Sequence, residues 1–158
     1  MIVVADASPL MNLAGIGQLD LLRQLYGRVL VPAAVYREVV LVGHGQPGAA
    51  EVAAADWVEV RACTTRAMPE RLDEGEAEAI SLALEVQADL LLVDERRGRE
   101  AATKLGVPIL GLLGVLLAAK DAGLVASLAP LLTRLRTEAG FWLGRELIER
   151  ALRQAGEM

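Results

Sequence analysis

A chain of 158 residues falls within the roughly 100–200 residues of one domain and is long enough to bury a core. Its 54% hydrophobic types against 23% charged exclude a disordered or low-complexity polymer, and aromatics at 3% leave almost no material for a base-stacking aromatic sheet. With 21 acids against 16 bases the net charge is -5, which excludes coating of DNA or a membrane by bulk electrostatics, so any nucleic-acid contact must be local.

The opening Ile2-Val3-Val4-Ala5 is a continuous apolar run ended by Asp6, the pattern of a strand buried on both faces and hence of a parallel sheet. Ser8 as a cap and Pro9 in the first turn predict a helix carrying Leu10, Leu13 and Ala14, and residues 19–25 predict another. A strand at Val29-Leu30-Val31 follows. Pro32 then opens a helix with Val35, Val39 and Val40 on one face and Glu38 on an adjacent one, ended by the loop Gly43-His44-Gly45-Gln46-Pro47-Gly48. Residues 49–55 read as a small-residue helix, and Trp57-Val58-Glu59-Val60 as an edge strand. Residues 61–72 read as a connection.

A helix is predicted from Asp73 to Val86, with acids crowding its first turn. Leu90-Leu91-Leu92-Val93 is a second fully apolar strand, again ended by an acid, Asp94. A short helix at 97–105, a strand at 107–110, an apolar helix at 112–122 closed by Gly123, and two helices near 128–138 and 144–155 complete the chain. Strands and helices alternate throughout, which predicts an α/β fold with a parallel or mostly parallel sheet wrapped by helices, in one domain over residues 1–158 without repeat or linker.

In open α/β sheets, ligands lie beyond the carboxyl ends of the strands, near the reversal of strand order. Asp6 and Asp94 occupy such ends, Glu38 lies on the helix after the second strand, and Glu76 lies in the first turn of the helix before the Asp94 strand. If these four carboxylates converge, their repulsion calls for a divalent cation. All-oxygen ligation suits Mg²⁺ or Mn²⁺, and the chemistry implied is metal-assisted phosphodiester hydrolysis. From Leu72 to Asp94 the chain carries seven acids and no base, whereas residues 96–104 carry Arg96, Arg97, Arg99 and Lys104 against Glu100. A negative site beside a basic segment is what a metal-dependent nuclease needs, arginines serving the neighbouring phosphates.

Each acid also has a structural reading. Asp6 and Asp94 can cap the helices that follow them, Glu38 can be a solvated helix residue, and Glu76 can serve the helix dipole, with Glu74, Glu78 and Glu95 as rivals. The arginines can be ordinary surface residues of an amphipathic helix. His44 is a general-base candidate or a solvated loop residue, Cys63 reads as an inert thiol, and Gly111-Leu112-Leu113-Gly114 lacks the Lys-Ser/Thr ending of a phosphate loop and reads as a packing turn. One cysteine and one histidine exclude an intrachain disulfide, a cysteine-cluster metal site and any site needing two imidazoles, which makes zinc a poor fit. The longest uncharged run, residues 105–119, is 15 residues and contains Pro108, short of the about 20 a membrane span requires. No secretory leader pattern opens the chain, so a soluble, cytoplasmic protein is expected.

The acidic motifs Val-Val-Ala-Asp6-Ala-Ser8-Pro-Leu, Pro-Ala-Ala-Val-Tyr-Arg-Glu38-Val, Gly-Glu76-Ala-Glu-Ala-Ile and Leu-Leu-Leu-Val-Asp94-Glu resemble those of PIN-domain proteins close to the VapC-like toxin ribonucleases, from Met1 to about Leu124. The resemblance implies a three-layer sandwich with an about five-stranded parallel sheet and C-terminal helices from about 126 to 155. It also implies Mg²⁺ or Mn²⁺ on Asp6, Glu38, Glu76 and Asp94, with Ser8 in support. Single-stranded RNA is the implied substrate, with Arg96, Arg97 and Arg99 on its phosphates, and a small antitoxin protein is an implied partner. The third acid is Glu where Asp is commoner, and Arg96 stands where many relatives place a further acid. The expected activity is endoribonuclease, plausibly as the toxin of a toxin-antitoxin pair; the alternative is a PIN-fold nucleic-acid-binding protein with weak or no catalysis, and a small-molecule phosphate hydrolase ranks third. The hydrophobic content, with apolar helices such as 112–119, predicts a homodimer.

Overall fold

Alternate residues of the buried strands serve two different cores. In the computed structural model, which describes residues 1–68 and 71–158, β1 (Val3–Ala5) sends Val3 and Ala5 to one face of the sheet and Val4 to the other. Leu92 of β4 (Leu90–Leu92) joins the first face and Leu91 the second. A strand whose two faces are both covered has no wet side, and this is why these segments read as unbroken apolar runs.

Five strands form one parallel sheet in the order β3-β2-β1-β4-β5, with β2 at Val29–Pro32, β3 at Val58–Arg61 and β5 at Ile109–Leu110. Every pairing is parallel, in the register Val4 opposite Leu30 on one side and Val3, Val4 and Ala5 opposite Leu90, Leu91 and Leu92 on the other. Strand order reverses between the neighbours β1 and β4, which opens a crevice beyond their carboxyl ends. β3 is an edge strand, as its alternation predicts.

The helices are α1 (Ala7–Gly15), α2 (Asp20–Tyr26), α3 (Ala33–Tyr36), α4 (Ala49–Ala54), α5 (Glu74–Glu85), α6 (Arg96–Lys104), α7 (Leu112–Asp121), α8 (Ala129–Thr137) and α9 (Arg145–Gln154). Leu10 and Leu13 of α1, Leu116 of α7 and Leu135 of α8 pack in the first core. Ile80 of α5 and Ala101 of α6 pack in the second. Helices on both faces of a parallel sheet make a three-layer α/β sandwich.

Two local details differ from the sequence expectation. The cap of α1 is Asp6, whose Oδ1 accepts the Ala7 N–H at 2.8 Å, and not Ser8. The helix opened by Pro32 changes pitch after Tyr36, and Arg37–Val42 form a π-helical segment. Its closing bond runs from the Gly43 N–H to the Glu38 carbonyl at 2.9 Å, five residues back, and a Cβ at Gly43 would lie 2.7 Å from the Val39 carbonyl oxygen. Only glycine permits that approach. In the connection predicted over 61–72, residues 69 and 70 lie outside the described residues.

The chain is tied off by Glu157. Its carboxylate accepts the N–H groups of Leu128 at 2.6 Å and Ala129 at 3.0 Å, the Ser127 hydroxyl at 2.9 Å and the Lys120 ammonium at 3.0 Å. One side chain thereby caps α8 and holds the residues after α9 against the end of α7. These backbone N–H donors, with Lys120, pull the Glu157 pKa down to about 2. Among the described residues no helix is long and apolar enough to cross a membrane.

Candidate active site

Asp6 leaves the sheet with its backbone fixed, its N–H donating to the Leu92 carbonyl at 3.0 Å. Its carboxylate is buried at the N-terminus of α1 and lines a crevice of about 240 Å³ with Ser8, Met11, Asn12, Glu38, Asp73, Glu76 and Glu95. Burial raises the Asp6 pKa to about 7; the Ala7 N–H opposes the shift, and the charges of Asp73, Glu76 and Glu38 add to it.

Glu76 enters from the first turn of α5 through a reciprocal cap. Asp73 Oδ1 accepts the Glu76 N–H at 2.7 Å and Glu76 Oε1 accepts the Asp73 N–H at 3.0 Å, the capping-box arrangement whose D-x-x-E spacing is visible in the sequence. Glu76 is 2% exposed, and its Oε2 is buried without a hydrogen-bond partner. An unpartnered buried carboxylate oxygen is costly, so the site is built to receive a donor or a cation. Burial raises the Glu76 pKa, as do Asp73 and Glu95, while Arg97 opposes them. Glu38 stands at the rim on the π-helical segment, its carboxyl raised by desolvation and by Asp73, Glu95 and Glu76. Asn12 Nδ2 donates to both the Ser8 carbonyl and the Ser8 hydroxyl, which fixes Ser8 at the crevice wall.

Of the four acids expected to converge, the crevice brings together Asp6, Glu38 and Glu76 and leaves out Asp94. Asp94 Oδ1 accepts the Leu112 N–H at 2.7 Å at the start of α7, and Arg99 supplies its nearby positive charge. Burial raises the Asp94 pKa, and its Oδ2 too is buried without a partner. The next residue, Glu95, lines the crevice, as does Asp73. Sequence reasoning named Glu95 only as a rival and Asp73 only as the start of a helix.

The three arginines separate as well. Arg96 is 90% exposed and bonds Glu100 at 2.9 Å on its own helix. Arg97 brings Nη2 to 3.7 Å from Glu76 Oε1 and donates from Nη1 to the Arg71 carbonyl at 3.1 Å. Arg99 lies on the Asp94 side, near Gly111. His44 is exposed in its loop, and the Cys63 thiol, half-buried, lies 3.5 Å from the Glu78 carbonyl. Gly114 closes against Leu110, so the Gly111–Gly114 stretch is a packing turn.

Carboxylate oxygens alone line the charged part of the crevice, the donor set of a hard divalent cation. Among the described residues, no three His, Cys, Asp or Glu groups stand near enough to share one ion. Burial and neighbouring carboxylates disfavour the anionic forms of Asp6 and Glu76, so a positive charge brought to the crevice would stabilise both.

A five-stranded parallel sandwich with an acidic crevice at its strand-order reversal defines a class of three-layer α/β protein, and the class has a family. The family model described as DUF3368: PIN domain matches residues 2–157, and the chain belongs to the PIN-domain family, commonly a nuclease fold. In fold it is similar to a PilT N-terminus domain protein of the hyperthermophilic archaeon Sulfolobus solfataricus P2, with a TM-score of 0.52 and 21% identity over 75% of this chain and 93% of the other. No curated protein matches it significantly.

Proposed function

We propose that the protein is a metal-dependent endoribonuclease acting on single-stranded RNA. The observation that carries this reading is the crevice itself: buried Asp6, with a pKa near 7, faces a nearly inaccessible Glu76 whose Oε2 has no partner, at the sheet position where this fold binds ligands. Asp6, Glu38, Glu76 and Glu95 would hold Mg²⁺ or Mn²⁺, with Asp73 positioning Glu76. When bound, the ion would supply Lewis-acid polarisation of a phosphoryl oxygen and a water of lowered pKa. Without a cation Asp6, its pKa raised to about 7, is about half protonated at neutral pH, and a bound cation would favour its ionised form. Ser8, kept in place by Asn12, offers a hydroxyl at the wall, and Arg97 at the rim offers a planar pair of donors to a phosphate.

The test is cleavage of a single-stranded RNA by the purified chain in Mg²⁺ or Mn²⁺, with excess chelator as the control. Metal-dependent cleavage that Asp6→Asn abolishes supports the reading. A folded chain that cleaves no single-stranded RNA in either ion overturns it and favours the nucleic-acid-binding alternative, for which retained oligonucleotide affinity is the mark. The resemblance to VapC-like toxins extends the proposal to a toxin held in check by a small antitoxin protein. Growth arrest on expression, relieved by the product of an adjacent short reading frame, is the expected result. A homodimer remains part of the proposal, Leu41, Val42, Trp142 and Leu147 being exposed apolar side chains, and light scattering decides it.

A further inference from the structure

Arg97 leans on the crevice without being locked into it. Its Nη2 lies 3.7 Å from Glu76 Oε1, longer than the about 2.7–2.9 Å of a charge-assisted hydrogen bond. That oxygen is already taken by the Asp73 N–H, and Oε2 has no hydrogen-bond partner, so the arginine bonds neither oxygen closely. The guanidinium side chain is 58% exposed while Glu76 is 2% exposed, so one member of the pair is free to leave and the other is not. The next residue explains how α6 comes this close: a Cβ at Gly98 would lie 3.3 Å from Glu76 Oε2 and 3.0 Å from Val93 Cγ2. Arg96, one position earlier, is committed to Glu100, and Arg99 faces Asp94.

We propose that Arg97 is the resident counter-cation of the crevice. It screens Glu76 while no divalent ion is bound, yields Glu76 when one binds, and is thereby freed for a phosphate of the RNA strand. The inference rests on the metal-dependent reading above. It makes metal loading and strand binding successive uses of one side chain: the ion and Arg97 compete for Glu76, so the ion's arrival raises the affinity for the strand by releasing the arginine. Thermodynamic reciprocity then requires the bound strand to raise the affinity for the ion.

The experiment measures Mn²⁺ binding to the full chain by electron paramagnetic resonance without nucleic acid, then binding of a short single-stranded phosphorothioate RNA with and without Mn²⁺. Arg97→Gln keeps a donor for the Arg71 carbonyl but removes the charge, and Arg96→Gln makes the same charge change one residue away. Losing a charge beside the site is expected to tighten Mn²⁺ binding roughly tenfold in Arg97→Gln, whereas loss at the exposed, ion-paired Arg96 changes it by less than about twofold. Wild type is expected to bind the RNA more tightly in Mn²⁺, and Arg97→Gln to show a smaller gain, what remains being the ion's own contact with a phosphate. Equal effects of the two substitutions on Mn²⁺, or a gain undiminished in Arg97→Gln, overturn the proposal. If wild type and Asp6→Asn bind Mn²⁺ equally weakly, the metal-dependent reading itself fails, and the proposal with it.

Discussion

Asp94 Oδ1 accepts the Leu112 N–H at 2.7 Å, which ties one oxygen of this acid to the start of α7 while its Oδ2 stays buried without a partner. Glu95, the next residue, lines the crevice with Asp6 and Glu76, and Asp94 does not. Glu95→Gln is therefore expected to weaken Mn²⁺ binding and RNA cleavage at least tenfold, one ligand charge being worth more than about 1.4 kcal/mol in a partly buried site. Asp94→Asn keeps an acceptor for Leu112 and leaves Mn²⁺ affinity nearly unchanged, whereas Asp94→Ala costs about 1 kcal/mol of stability through the lost cap. Calorimetric Mn²⁺ titrations and denaturant melts of the three variants check the assignment. Asp94→Asn losing the ion while Glu95→Gln keeps it would reverse it.

Asp6→Asn separates chemistry from stability. The Asp6 carboxyl is protonated up to a pH of about 7 in the folded chain and ionises from its ordinary 3.8 in the unfolded one. The folded state therefore holds the extra proton between those values, and Asp6 costs stability progressively as pH rises through that window, by at most about 4 kcal/mol at its upper end. Asparagine still accepts the Ala7 N–H and removes the cost. The metal-free variant should melt above wild type at pH 8 and match it near pH 4, while RNA cleavage falls by orders of magnitude. A variant melting below wild type at pH 8 would make Asp6 a structural cap.

Glu157 has the opposite sign. Its folded pKa of about 2 lies below the ordinary 4.5, so its contribution is whole above pH 4.5 and fades as pH falls through about 2. Glu157→Gln should lower the melting temperature at pH 7 and lose that deficit progressively below pH 4.5. Melts stepped between pH 7 and pH 3 provide the comparison, and a constant gap would remove the carboxylate from the account.

Gly98→Ala tests the approach of α6 to Glu76. Alanine gains up to about 1 kcal/mol of helix propensity over glycine, but its Cβ must displace Val93 or the buried Glu76 carboxylate, and overpacking of this kind costs roughly 1–3 kcal/mol. A net loss of stability with weakened Mn²⁺ binding is expected from paired melts and titrations. Alanine that stabilises the chain and leaves the ion untouched would show that the contact yields freely.

The sheet was legible because its central strands β1, β2 and β4 are covered on both faces, so apolar runs such as Leu90-Leu91-Leu92 announce themselves, and because Pro32, Asp73 and Gly123 mark helix ends where the structure has them. The π-helical turn was not. Residues 37–42 carry the spacing of an ordinary helix, and the wider closure depends on an absent Cβ at Gly43 meeting the Val39 carbonyl. The bond that ties Asp94 to α7 was hidden for a related reason: its partner is a backbone donor 18 residues further along the chain, which no local pattern encodes. Asp73 was visible as the start of a helix, yet its reciprocal cap with Glu76 and its place in the crevice follow only from how α5 is set against the sheet.

The position of β1 in the middle of the sheet also governs when the crevice can come into being. Val3, Val4 and Ala5 pair on one side with β2, which follows closely, and on the other with Leu90, Leu91 and Leu92, which leave the ribosome last of the three strands. Pairings of such long sequence separation carry a high loop-closure cost and form slowly. A nascent chain that ends before Leu90 already contains Asp6, Glu38, Asp73 and Glu76, but it has neither the strand whose Leu92 carbonyl fixes the Asp6 backbone nor Glu95. Whatever the crevice does is thus withheld from partial translation products and acquired in one late step.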